Sequence, residues 1–338
     1  LLKGNTKHKE NRYNDFDHEG LLLGMLSTEG PKLIKGDANG DGLEDVLMLG
    51  ARNDDDKLYL QTASGDFVFK SNPVFSAKDV KAFESSCGAF FDFDRDGDQD
   101  LLLGSGGNEY EQGRKFFILR YFRNDGKGNF MVDNSNIPQV VGNFSSLEVS
   151  DIDQDGDEDL FIGGRLVPGN YGLPPRSYLM LNDNGRWLDV APSSIAGLGM
   201  VTDACWADID GDQDEDLIAV SDWGKVSIFK NEQGQMRITA PVENSTGWWR
   251  SIEPADLDSD GDIDFVLGNW GLNSKLKASP NRPISMYVSD FDQNNRSEFI
   301  VNWFAPLDSK AYPFPTKTEI TQQLPFLRKK ILKYETYA

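Results

Sequence analysis

The chain has 338 residues, of which 34 are basic and 55 acidic, giving a formal charge of −21. That charge disfavours nucleic acid and anionic membrane as partners, because both repel an acidic surface. No stretch reaches the roughly 18 apolar residues of a membrane span, and two cysteines, Cys87 and Cys205, make no disulfide framework and read as buried thiols.

Residues 1–19 are polar, carry both histidines (His8 and His18) and read as an N-terminal arm, followed by the apolar run Leu21-Leu22-Leu23. Pro31 to Ile34 then leads as a strand into an acidic loop, and Val46 to Leu49 leaves it as another. That loop recurs. Its copies carry Asp37, Asn39, Asp41 and Asp45; Asp92, Asp94, Asp96 and Asp100; Asp151, Asp153, Asp155 and Asp159; Asp208, Asp210, Asp212 and Asp216; and Asp256, Asp258, Asp260 and Asp264. A sixth, with Asp290, Asp292, Asn294 and Glu298, departs most from the pattern. Glycine stands at the sixth position of four copies, Gln213 and Asn295 in the other two.

Carboxylates at positions 1, 3, 5 and 9 of a tight loop repel one another unless a hard cation gathers them, and calcium takes six to eight oxygens in flexible geometry. An EF-hand begins the same way but needs a bidentate Glu at position 12, where these copies have Met48, Leu103, Ile162, Ala219, Leu267 and Val301. Short apolar runs such as Leu101-Leu102-Leu103 flank the loops, so each is expected to join two strands. A single Asp/Gly-rich stretch is ordinarily a solvated turn, but six in register argue for metal. Five calcium sites are expected, with the Asp290 loop as a sixth, weaker candidate.

The first aspartates are spaced by 55, 59, 57, 48 and 34 residues. A second strand pair follows most loops, joined across Ser64-Gly65-Asp66, Asn124 to Gly128, Asn184-Gly185 or Gln233-Gly234. Four strands per repeat at a period of about fifty predict an all-β propeller, and consecutive apolar residues after each loop fit sheets covered on both faces. The predicted organisation is an arm over 1–19, a propeller over 20–305 and a helical extension over 306–338. In the last, Ile320, Leu324, Leu327, Ile331 and Tyr334 form a helical face that Pro325 kinks or starts.

These loops, together with Gly163 to Gly169, Gly199 to Asp203, Gly247-Trp248-Trp249, Gly268 to Asn273 and Tyr334 to Ala338, resemble the FG-GAP or VCBS repeat proteins, related to the propeller of integrin α chains. The resemblance covers nearly the whole chain and extends to large bacterial surface proteins that often carry an ASPIC/UnbV module. It implies seven blades, bound calcium and an extracellular or cell-surface setting, associated with a bacterial outer membrane. The shortening of the last repeats, a first residue other than Met and an end on a helix lead to the expectation that this chain is joined to further domains.

Catalytic chemistry has little to rest on: both histidines lie in the arm, and no nucleophile elbow or phosphate-binding loop is present. The alternative to a binding module is a calcium-dependent polysaccharide lyase or hydrolase. In a propeller the metal loops share one face, and the connections after second strands and before first strands share the other. That other face collects Gly106 to Tyr110, Arg165, Tyr171, Trp223, Trp248, Trp249, Trp270 and Asn273. Flat rings beside amide and guanidinium groups suit a glycan or protein ligand, although the same aromatics could instead plug the central channel or seal blade contacts.

Overall fold

The computed structural model describes residues 2–109, 115–240, 242–305, 310–333 and 337; Tyr110 and Tyr334 of the sequence reading lie outside them. Short strand β1 (Leu2–Lys3) edges a first sheet of β2 (Leu33–Gly36), β3 (Asp45–Met48), β4 (Lys57–Gln61) and β5 (Phe67–Lys70), running parallel to β5. The second sheet holds β6 (Ser85–Phe91), β7 (Asp100–Ser105), β8 (Arg120–Arg123) and β9 (Met131–Val132). The third holds β10 (Asn143–Ser150), β11 (Asp159–Leu166), β12 (Tyr178–Asp183) and β13 (Arg186–Asp189). After helix α1 (Ser193–Ala196) comes a fourth, of β14 (Met200–Ala207), β15 (Asp216–Gly224), β16 (Ser227–Glu232) and β17 (Gln235–Ile238). A fifth unit has, among the described residues, β18 (Gly247–Ala255) and β19 (Asp264–Asn269), and β18 also pairs with the end of β15. The last sheet is β20 (Ser285–Ser289), β21 (Glu298–Phe304) and β22 (Ala311–Pro313), followed by α2 (Lys317–Gln323).

Side chains on a strand alternate between faces, so the consecutive apolar residues after each loop serve two neighbours at once. Leu101 and Leu103 pack with Leu47, Leu49 and Leu58 of the first sheet, whereas Leu102 between them packs with Phe144, Leu160 and Ile162 of the third. Phe161 turns the other way to meet Val201, Leu217 and Ala219, while Ile218 and Val220 meet Ile252 and Leu267. Leu101, Leu102 and Leu103 are fully buried, each contributing about 2 kcal/mol by removal from water. Face-to-face stacking of successive antiparallel sheets makes this a β-propeller, as expected.

First strands line the central channel. Lys32, ahead of β2, reaches across it to donate to the carbonyls of Ser145 at 2.5 Å and Thr202 at 3.1 Å, with Asp203 Oδ1 at 3.6 Å. Both cysteines face this region as buried thiols, raised by burial to about 12 and chemically inert.

Three expectations change. Residues 2–19 are not a free arm: Asp15 is fully buried, accepting from the Ser27 amide and hydroxyl (3.2 and 2.6 Å) and from Asn108 (2.8 Å), which binds the segment across the sheets. β22 lies beyond residue 305 and completes the last sheet against β21. The predicted tail helix ends at Gln323, because Pro325 lacks an amide hydrogen and drives Leu324 out of the helical region (φ −121°, ψ 78°); a short 3-10 turn, Pro325–Lys329, follows. Ile320 and Leu324 are nevertheless buried. Among the described residues β19 pairs only with β18, leaving Val266 53% exposed along an open edge.

Glu148 on β10 faces the channel, where it accepts from Ser146 Oγ at 2.7 Å. Burial, reinforced by Asp203 and Glu253, pushes its carboxyl up to about 8. A carboxyl held above its unfolded value keeps its proton longer in the folded chain, so its stability contribution is full below about pH 4.5, declines as pH rises and is lost above about pH 8. The fall in stability from about pH 5 to about pH 8 is therefore expected to be shallower for Glu148→Gln than for the parent chain in urea titrations. Superimposable slopes would show that the group does not titrate as argued.

Candidate functional site

Each acidic loop is a wrap of backbone amides around its own carboxylates. Asp92 accepts from the amides of Asp96 and Gly97 at 3.1 and 3.0 Å, and Asp96 accepts from Asp98 at 3.2 Å. Asp37 and Asp151 make the same two bonds to positions 5 and 6, and so does Asp290, to Asn294 and Asn295. The divergent sixth loop thus keeps the backbone of the others.

The sixth position has positive φ in every copy: Gly42, Gly97, Gly156 and Gly261 at +83°, +96°, +90° and +96°, with Gln213 at +74° and Asn295 at +65°. The fourth position is left-handed too, at Arg95 (+64°), Gln154 (+58°), Ser259 (+64°) and Gln293 (+63°), beside Gly40 and Gly211. Left-handed backbone disfavours side chains, and the closely spaced bonds to the aspartates hold it in place.

Position 9 has a different task. One oxygen of Asp159 accepts the amide of Ile152 at 3.0 Å, within the loop, and the other accepts the amide of Asn182 at 2.7 Å, on the third strand of the sheet. Asp45 does this with Ala38 and Gln61, and Asp216 with Ile209 and Asn231. Asp45, Asp100, Asp159 and Asp216 are at most 1% exposed. Further bonds join loops of neighbouring sheets: Asn124 Nδ2 donates to Ala38 O (2.8 Å), Asn231 Nδ2 to Ile152 O (2.7 Å), and Gln154 to Asp214 (2.6 Å), while Arg95 pairs with Asp157.

Three carboxylates converge, with ligand atoms all within 4.8 Å, at Asp92, Asp94 and Asp96; at Asp151, Asp153 and Asp159; at Asp208, Asp210 and Asp216; at Asp256, Asp258 and Asp260; and at Asp290, Asp292 and Glu298. These five groups could hold a metal ion, the sixth loop included. The Asp37 loop forms no such triad; there Asn39 turns its amide nitrogen toward Asp41 at 3.0 Å. Burial first, and neighbouring carboxylates second, push Asp98 up to about 6, and burial with nearby Asp153 and Asp151 carries Asp159 to about 7. A divalent cation reverses both effects, and an all-oxygen donor set is what a hard cation takes.

The opposite face is largely covered by the chain itself. Leu21, Leu22 and Leu26 pack with Leu166, Tyr171, Met200 and Trp248, and with Phe299 and Val301 of the last sheet. The seven residues expected to form one ligand site therefore separate. Tyr171, Trp248 and Trp270 line a cavity of ≈ 400 Å³ together with Leu22, Met25, Asp222, Arg250 and Asn269. The Trp248 ring lies 5.2 Å from Trp270, and Arg250 stands 5.6 Å over the Trp270 ring. Trp223 buttresses the cavity from behind, 4.9 Å from Trp248 and donating to Tyr171 Oη at 2.9 Å. Arg165, 4% exposed, is neutralised by Glu29 (2.6 Å) and Asp222 (2.9 Å) and borders a different cavity. Trp249 instead packs between the fourth and fifth units with Phe265 and Leu267, its indole donating to Ser245 O at 2.7 Å, a sealing role. Asn273 is exposed and lines neither cavity. The part played by Leu22 and Met25 was not foreseen; the apolar run at Leu21 was its only signal.

Stacked antiparallel sheets with an acidic loop on every first-to-second connection define a propeller with a ring of acidic loops on one face. The FG-GAP-like repeat matches residues 37–103, 92–162 and 208–267, together more than half of the chain, and the chain belongs to this family. No curated protein matches it. Among solved structures it is similar to an Agrocybe aegerita lectin specific for non-reducing terminal N-acetylglucosamine (14% identity, 85% of this chain and 81% of that one, TM-score 0.45). It is also similar to the Dos1 propeller (11%, 84% and 58%, TM-score 0.43) and to a candidate exo-β-1,3-galactanase from Bifidobacterium bifidum (11%, 85% and 91%, TM-score 0.39).

Because position 9 ties loop to third strand whether or not a cation is present, Asp159→Ala is expected to destabilise the chain in chelator by about 2 kcal/mol, since a buried and a half-buried amide lose their acceptor. The exposed Asp153→Ala should cost under about 0.5 kcal/mol. Equal unfolding midpoints for the two variants would contradict the division of labour.

Proposed function

We propose that the chain is a calcium-stabilised extracellular or cell-surface binding module whose ligand is a saccharide, seated in the cavity between Tyr171, Trp248 and Trp270. One observation carries the ligand reading: Asp222 Oδ1 and Asn269 Oδ1, on residues lining this aromatic cavity, are buried without a hydrogen-bond partner among the described residues. Buried acceptors left unpaired are costly, and sugar hydroxyls supply the donors while a pyranose face covers the Trp270 ring. A cavity of ≈ 400 Å³ walled by Leu22 and Met25 admits one or two sugar rings more readily than the flat surface of a protein partner.

Calcium supports this role by holding the loops, and calcium sites of extracellular modules work at about 10⁻⁴ to 10⁻³ M, a concentration found outside cells. No helix among the described residues is long and apolar enough to cross a membrane. A glycan array should identify the saccharide, and Trp270→Ala should then weaken it about tenfold or more by calorimetry with bound calcium unchanged. Binding by no glycan, or unaltered affinity in Trp270→Ala, would overturn the assignment.

A further inference from the structure

A second cavity, of ≈ 390 Å³, lies on the other side of the Met25 to Glu29 segment. Its polar wall centres on Gly107. A Cβ placed on this glycine, whose φ is +83°, would stand 2.7 Å from Glu84 Oε2 and closer still to Glu109 Oε2, so two carboxylate oxygens crowd one backbone position. Asn143, 3% exposed, spends its amide nitrogen on the Gly107 carbonyl and leaves Oδ1 without a partner among the described residues. Among those residues Glu84 Oε2 has none either, nor has Glu10 Oε2, whose other oxygen meets His8 Nε2 at 2.8 Å.

Unpartnered acceptors thus outnumber donors here. The cavity's cations face elsewhere: Lys32 gives its ammonium to the Ser145 and Thr202 carbonyls, Arg165 gives Nε and Nη2 to Glu29 and Asp222, leaving Nη1, and Arg250 turns to the same two acids. Burial first, and the acids Glu109, Glu10, Glu29 and Asp15 after it, hold the Glu84 carboxyl well above the usual range. A buried carboxylate among carboxylates calls for a cation.

We infer that this cavity binds a small organic molecule through a primary ammonium group, held by Glu84 with Asn143 and Glu10. An ammonium has three donors and no acceptor, which matches three unpartnered oxygens. The cation is organic rather than a bare metal, for two reasons. The volume far exceeds one ion, and Met25, Leu26, Leu49, Phe144 and Leu166 supply apolar wall for a carbon body. In addition, none of these acids belongs to a group of three converging carboxylates among the described residues. Arg165 Nη1 remains as donor for a hydroxyl or carbonyl on that body.

The test uses the whole chain with saturating calcium and titrates ethanolamine, lysine and glucosamine against their neutral counterparts ethylene glycol, norleucine amide blocked at its amine, and glucose. At least one amine should bind, its counterpart about tenfold more weakly or not at all, and Glu84→Gln should lose about tenfold of the amine affinity. Asn143→Ala serves as a second variant should Glu84→Gln fold poorly, with the same loss expected. Trp270→Ala should leave amine binding intact, which separates failure here from failure of the saccharide reading. The inference falls if no amine binds, if amine and counterpart bind alike, if neither variant weakens binding, or if Glu84→Gln lowers the bound calcium count instead.

Discussion

A buried carboxylate with one oxygen on the loop and the other on the third strand is the interaction on which the structure depends. Asp45, Asp159 and Asp216 each fasten a turn of clustered charge to the sheet behind it. With that anchor in place, the first and second strands leave the loop in fixed register, and alternation along the second strand delivers one residue to each neighbouring sheet. Leu101, Leu102 and Leu103 are the plainest case. Loop and core are thus one device, repeated: the carboxylate orients the strand, and the strand buries the apolar area that stabilises the fold.

The same arrangement divides the two faces chemically. The acidic loops consume their backbone amides and carboxylates internally and bond to the loops beside them, as Asn124 does to Ala38 and Asn231 to Ile152. The opposite ends carry longer connections, and the N-terminal segment lies across them with its own acids paired inward. Asp15 and Glu19 both take Asn108, and Glu19 also takes the Tyr171 amide at 2.8 Å. This segment closes much of what would otherwise be an open face, leaving two cavities either side of Met25 to Glu29, one aromatic and one acidic.

The loops, their strands and the double-faced burial of the sheets were legible because they depend on local spacing: an aspartate every second residue and apolar runs of three or four residues. The backbone of the sixth loop was less so. Asn294, Asn295 and Glu298 look degraded, yet amide bonds to Asp290 reproduce the turn and Glu298 takes the Phe291 amide as its counterparts do. Left-handed Arg95 and Gln154 were invisible, since residue type gives no hint when neighbouring carboxylates enforce the geometry. The opposite face was legible as a set of residues and not as a site. Trp248 and Trp249 are adjacent on one strand and so point to opposite sides, one to the cavity and one to the seam between units. What covers the face comes from residues more than a hundred positions away, which spacing does not report.

The central claim is that cations complete what the buried carboxylates begin, by cancelling the repulsion within each loop. Scanning calorimetry of the whole chain in about millimolar calcium and in excess chelator tests it most directly, since a ligand of the folded state alone raises the midpoint by mass action. The account predicts one cooperative transition in calcium and a clearly lower midpoint in chelator, restored when calcium is returned. Coincident transitions in the two conditions would contradict it.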